Sequence, residues 1–260
     1  MEDPEVHFHL PLARFFKFPP DASPEVLPAP SKDDSFATPF SISQELYNKA
    51  LATPIPFVVA VLYILGATGL NAYNQSRNHK PWAISQTRPF QVFVVAHCIL
   101  LTTFSYFTFL GMIRALKQTW PGLHSESGSA GAADALCKIH GPRGLGDAAF
   151  WNATTSAWEV KNSRIFLNDA GLPEVTDVGR LWNEGLAFWG WLFYISKYYE
   201  IIDTLIILAK GKRSSTLQTY HHAGALLSMW AGMRYMSPPI WVFVLLNSGT
   251  QVLTVCGYCP

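Results

Sequence analysis

The sequence predicts an all-α protein, a multi-pass membrane helix bundle with about five spans. Three observations predict it. Charged residues make up 14% of the 260-residue chain and hydrophobic ones 49%, whereas soluble domains carry roughly a quarter charged residues. Two stretches, 55–73 and 89–113, hold no charge at all and are long enough as helices to cross roughly 30 Å of hydrocarbon. Three more apolar runs follow at about 185–209, 217–236 and 239–258. A net charge of +1 gives no argument for nucleic acid or another polyanion as a partner.

Along the chain, residues 1–54 are rich in Pro, Ser and charge ("FPPDASPEVLPAPSKDD") and read as a mostly irregular polar tail ahead of a membrane domain at 55–260. The acidic, proline-broken start "MEDPEVHFHL" is the reverse of a signal peptide, so insertion is expected to begin at the first internal apolar segment. "SISQELYNKAL", 41–51, reads as a short amphipathic helix leading to the membrane, with Ser43 placed to cap it. Between the second and third spans, 115–181 is a long polar loop containing the Gly/Ala-rich piece "SESGSAGAADAL". The cysteines Cys98, Cys137, Cys256 and Cys259 are too few and scattered for a disulfide framework. The isolated CxxC at 256–259 has no second pair or histidines to make a zinc site.

The short loops set the orientation. Arg77, Lys80 and Arg88 lie in one, and Lys210, Lys212 and Arg213 in the other. Both fall on the same side, which the positive-inside rule makes cytoplasmic. The tail and the 115–181 loop are then lumenal, where the sequon "NAT" at Asn152 would be correctly placed for glycosylation.

The third span holds three charges: "KYYEIIDT" carries Lys197, Glu200 and Asp203. At about 100° per residue, Lys197, Glu200 and Thr204 share an arc of roughly 60°, with Asp203 about 60° further round. Each charge costs roughly 2.5–3.5 kcal/mol in a span, so this face should point to the bundle interior or a wet cavity. A self-satisfied Lys197–Glu200 ion pair is the structural alternative to a functional cluster. In the fourth span, "LQTYHHAGALLSMWAGM", Gln218, His221 and His222 stand at i, i+3 and i+4 and share an arc of about 100°. Such histidines serve as packed, hydrogen-bonded groups, as general base or as acyl-accepting nucleophile. Metal binding is disfavoured, because His7, His9, His79, His97, His124 and His140 form no second histidine cluster. The loop "KGKRSS" is first a topology signal; its Lys210, Lys212 and Arg213 could also meet the phosphates of a cytoplasmic ligand.

Together these motifs resemble the ELO family of very-long-chain fatty acid elongases. "KYYEIIDT" matches that family's K-x-x-E-x-x-D-T, and "QTYHH" resembles its H-x-x-H-H box. The resemblance is dense over about 185–248, of a fungal type, and looser upstream. It implies an endoplasmic-reticulum 3-ketoacyl-CoA synthase with a seven-helix bundle around an acyl tunnel. Its substrates would be acyl-CoA and malonyl-CoA, with no separate cofactor and no metal. Membrane lipid, other elongation-cycle enzymes and a second copy of the chain are the implied partners. By resemblance His221 is the residue that accepts the acyl group, with His222 beside it.

The chain departs from the family pattern twice. Gln218 stands where the box begins with histidine; glutamine keeps a donor and an acceptor but cannot titrate. After "VFVLLNS" the pattern N-x-x-x-H is met by Asn247 but not by Gln251. The remaining "SGTQVLTVCGYCP" is expected to be a patternless tail in a chain truncated before its last two helices. Three rival readings follow: a truncated inactive pseudo-enzyme, a non-catalytic membrane transporter or scaffold, and a di-iron membrane desaturase.

Overall fold

The computed structural model describes residues 39–120, 122, 128–137, 150–152, 154–160, 167–171, 181–235 and 237–258. The tail segment 1–38 therefore lies outside the described residues, as do much of the 115–181 loop and Cys259 of the CxxC.

The first helix, α1 (Gln44–Ala50), starts where Ser43 Oγ accepts the Leu46 amide at 3.3 Å, satisfying one of the free donors of a helix start. Tyr47 and Leu51 are fully buried, and Tyr47 stacks on Trp191 at 5.6 Å between ring centroids. This part of the predicted tail is thus docked into the bundle. Helix α2 (Pro54–Ser76) has proline in its first turn, where the missing N–H costs nothing. A short 3₁₀ turn at Ala83–Gln86 leads to α3 (Arg88–Thr119). Both α2 and α3 are long and apolar enough to cross a bilayer. Their outward faces leave Leu62, Leu65, Val92 and Ile99 between 60% and 68% exposed. Such a stripe is stable only against lipid or another apolar surface, which fits a multi-pass membrane helix bundle.

The Gly/Ala-rich piece is not a loop: Gly128–Cys137 forms α4. Its four alanines favour helix over coil, and the Leu136 carbonyl accepts the Trp241 indole N–H at 3.1 Å. The all-α expectation is qualified by one antiparallel hairpin, β1 (Phe150–Asn152) with β2 (Ala157–Glu159), paired Trp151 to Trp158. The predicted single span 185–209 is not one continuous α-helix. Trp182–Gly190 has π-type turns broken by a kink at Gly185, whose φ of 157° is non-helical, and is followed by α5 (Trp191–Tyr199) and α6 (Ile201–Ala209), with Glu200 between them. The Asp203 amide bonds the Glu200 carbonyl at 3.0 Å, a three-residue step tighter than an α-turn. Helices α7 (Thr216–Arg234) and α8 (Ile240–Tyr258) complete the order.

The bundle closes because α8 packs along α3, α2 along α7, and α5 along α7. Gly111 allows the π-wound segment onto α3: a Cβ there would stand 2.3 Å from the Trp189 indole. Around the join of α6 and α7 lies a second close approach. Gly211 has φ +75°, and a Cβ on it would come 2.4 Å from the His79 carbonyl oxygen. Only glycine fits there, as the left-handed residue that ends α6.

Candidate functional site

The polar residues converge where α5, α6, α7 and α8 meet. Lys197 is 1% exposed, and each of its three N–H donors has a direction to go. Nζ donates to Glu200 Oε1 at 2.6 Å and to Asn247 Oδ1 at 2.8 Å, and it sits 3.8 Å from the centroid of the Phe193 ring. An ammonium over an aromatic face is attracted by the ring quadrupole. Glu200 is also 1% exposed. The Ser196 hydroxyl, 2.8 Å from the Phe193 carbonyl oxygen and 3.2 Å from Glu200 Oε1, can donate to either. The predicted Lys197–Glu200 contact therefore exists and is buried.

Glu200 Oε2 faces α7, 3.9 Å from His222 Nδ1. That is beyond hydrogen-bond length, and His222 Nδ1 is buried without a hydrogen-bond partner among the described residues. The His222 ring meets Tyr63 edge to face at 6.1 Å. His221 lies 5.7 Å from His222 between ring centroids, but it is exposed. The two histidines thus divide the shared arc: His222 turns inward to Glu200 and His221 outward.

Gln218 and Asp203 join other parts of the network. Gln218 Nε2 donates to Thr204 Oγ1 at 3.4 Å, and the Thr204 hydroxyl is also bonded to Tyr63 at 2.8 Å. Tyr63 and Thr204 border an apolar groove of about 290 Å³ between α2 and α6. Asp203, close to the Lys197–Glu200 group, turns its hydrogen bond to α3 instead. Its Oδ1 is 2.6 Å from Nε2 of His97 on α3, and His97 Nδ1 is 2.9 Å from the Tyr199 hydroxyl.

The basic loop is held from below while its charges face out. Asn71 grips the Ser214 backbone twice, accepting its N–H and donating to its carbonyl, both at 3.0 Å. Asn74 donates to the Leu208 carbonyl and accepts the Trp82 indole N–H, both at 2.8 Å. The Trp82 amide bonds the Ala209 carbonyl at 2.9 Å. The 74–88 and 209–216 loops are therefore packed together on one side of the bundle. Lys210, Lys212 and Arg213 are all exposed there, one short loop from the start of α7. Ser215 opens that helix by accepting the Gln218 amide at 3.0 Å, which fixes the register of Gln218, His221 and His222.

Sequence reasoning missed Tyr63, His97, Ser196 and Tyr199, and treated Asn247 as a mark of resemblance alone. A histidine in an uncharged span was the available signal for His97; nothing in the pattern of α2 pointed to Tyr63. Among the described residues, no group of three or more His, Cys, Asp or Glu side chains is placed to hold a metal ion.

Several curated proteins are similar to this chain over limited segments. Fatty acid elongase 2 of Trypanosoma brucei brucei is 34% identical over 71 residues, 27% of this chain and 26% of its own length. Fatty acid elongase A of Dictyostelium discoideum is 37% identical over 68 residues, 26% of this chain and 25% of its own. The human very long chain fatty acid elongase 3 is 29% identical over 76 residues, 29% and 28% of the two lengths. The matched segment thus spans about a quarter of these curated relatives. No solved structure matches the chain. The ELO: GNS1/SUR4 family model matches residues 50–256, and so extends over 248–256 of the segment expected to be patternless. There α8 continues, and the Ser105 hydroxyl donates to Gln251 Oε1 at 2.7 Å. With that match covering most of its length, the chain belongs to the ELO (GNS1/SUR4) family.

Proposed function

We propose that the protein is a fatty acid elongase of the 3-ketoacyl-CoA synthase type. It condenses a long-chain acyl-CoA with malonyl-CoA in the endoplasmic reticulum membrane. The observation that carries this reading is the buried Asn247–Lys197–Glu200 chain set against His222, with His221 adjoining it on the accessible side. Membership of a family whose relatives are named fatty acid elongases supports it.

In this reading the His221 imidazole attacks the acyl thioester carbonyl. An N–C bond forms, the C–S bond breaks, and CoA leaves. Malonyl-CoA then loses carbon dioxide, and the electron pair left on its C2 forms the new C–C bond to the acyl carbon, displacing the imidazole. The products are 3-ketoacyl-CoA, carbon dioxide and CoA. His222 stands behind the nucleophile and faces Glu200 at 3.9 Å, and Lys197 holds Glu200. Gln218 ties the start of α7 to Thr204 on α6. Lys210, Lys212 and Arg213 meet the CoA phosphates at the membrane surface. The CoA thioesters are substrates and no further cofactor takes part. Other enzymes of the elongation cycle and a second copy of the chain are the proposed partners within the lipid.

Membranes from cells expressing the chain, given acyl-CoAs of graded length and labelled malonyl-CoA, should extend at least one of them by two carbons. The His221→Ala variant should not. Absence of extension by stably inserted wild-type protein would overturn the synthase reading.

The same reading places the two packed basic loops in the cytoplasm and Asn152 in the lumen. Asn152 ends β1, and its Oδ1 accepts the amide of the exposed Thr154 at 2.8 Å. Endoglycosidase H should increase the gel mobility of the wild-type protein and leave Asn152→Gln and Thr154→Ala unchanged. A wild-type protein insensitive to the enzyme would contradict the lumenal placement.

A further inference from the structure

Asp203 and His97 form a polar unit that the mechanism above does not use. His97 lies on α3, within a stretch read as uncharged and apolar, and is 2% exposed. Both ring nitrogens are engaged, Nε2 with Asp203 Oδ1 at 2.6 Å and Nδ1 with the Tyr199 hydroxyl at 2.9 Å. The Phe93 ring stacks on the imidazole at 6.1 Å between centroids. The imidazole is thereby fixed in rotation by one contact on each edge and one on its face.

The chemistry of the partners sets the proton positions. An ionised carboxylate only accepts, so Nε2 must carry the hydrogen that Asp203 receives. In the neutral tautomer this leaves Nδ1 as the acceptor, and the Tyr199 hydroxyl is then the donor that fills it. Every donor in the chain Tyr199–His97–Asp203 points the same way, towards the carboxylate. Hydrogen bonds aligned in this way polarise one another in a low-dielectric interior. Unlike His97, the Asp203 side chain is 35% exposed, so its carboxylate remains open on one side. It lies one helical step beyond Glu200 and next to Thr204, which carries Tyr63 and Gln218. The unit therefore borders the candidate site from the α3 side.

We propose that His97 is a positioning residue for the condensation, holding the Asp203 carboxylate in a single orientation beside the Glu200–His222 group. This rests on the synthase reading given above. In this role His97 acts through Asp203, with Tyr199 fixing the tautomer. A carboxylate at the join of α5 and α6 would otherwise rotate freely about its side-chain bonds, and a displacement of about 1 Å in such a group can cost a hundredfold in rate.

The test compares His97→Ala with His97→Gln in the full chain. Glutamine places an N–H where Nε2 stands but has no ring to stack; alanine supplies neither. His97→Ala should lower kcat about a hundredfold with little change in the KM for either CoA thioester, and His97→Gln should recover most of that loss. A residue that served only the fold would lower the amount of inserted protein in both variants alike, without separating kcat from KM. In parallel, nitrogen NMR of protein labelled with ¹⁵N-histidine, with His97 assigned by its absence in His97→Gln, should show a neutral ring protonated at Nε2. The inference is overturned by wild-type kcat in His97→Ala, by equal losses in the two variants, or by a ring protonated at Nδ1. Failure of the wild-type chain to extend any substrate would instead sink the synthase reading, and this role with it. Extension by wild type and His97→Ala alike would sink the inference alone.

Discussion

Replacing Lys197 with methionine is expected to abolish two-carbon extension and to destabilise the protein by roughly 3–5 kcal/mol. Methionine keeps the stem and much of the volume, so the packing term is small. What changes is the fate of Glu200. Its Oε1 loses the ammonium at 2.6 Å, while Oε2 has only His222 at 3.9 Å. An uncompensated buried carboxylate remains, and this is the costly way to break a buried pair. Asn247 Oδ1 loses its donor as well. The double variant Lys197→Met/Glu200→Gln removes both charges and should recover most of the stability, because a neutral amide can still receive the Ser196 hydroxyl. It should not recover extension, because His222 would then face an uncharged neighbour in place of the Glu200 carboxylate. Thermal unfolding in detergent and the extension assay, run on the same preparations, separate the two effects. A Lys197→Met protein with wild-type stability would show that Lys197 and Glu200 are not held together in the bilayer.

The particular residues show how much of this was readable beforehand. Helical spacing put Lys197 and Glu200 on one arc, and the structure joins them. The same spacing grouped Asp203 with them at the edge of that arc, yet it bonds His97 on a different helix. A helical wheel gives a direction around one axis and does not identify the helix that lies there. His221 and His222 differ by about 100°, so adjacent histidines cannot both face Glu200; the pattern allowed either one to turn inward. The break at Glu200 and the π-wound Trp182–Gly190 escaped notice because periodicity assumes a uniform turn. Composition hid α4, since a run of small residues reads as low complexity whether or not it is wound. Asn247 was recognised as a pattern position, but its use became visible only when α8 was placed against α5.

His221→Ala and His222→Ala should separate in an acyl-labelling experiment, even if both abolish net extension. Incubation with radiolabelled acyl-CoA and no malonyl-CoA stops the proposed reaction after its first step, leaving the acyl group on the protein. His221 is exposed, and a thioester can approach it without rearranging the core. His222 is largely enclosed between Glu200 and Tyr63, with Nδ1 buried. His221→Ala should therefore abolish covalent label. His222→Ala should keep the label but form it more slowly, by about the hundredfold or more expected when an orienting or proton-transferring neighbour is lost. Adding malonyl-CoA should then discharge the label from wild-type protein as 3-ketoacyl-CoA. The opposite pattern, with label kept by His221→Ala and lost by His222→Ala, would move the nucleophile to the inward histidine. Glu200 would then be its direct partner, and acyl-CoA would have to reach it through an opening between α2 and α7. Label retained in both variants would exclude either imidazole as the acyl acceptor and remove the histidine-centred mechanism, whatever the extension assay had found.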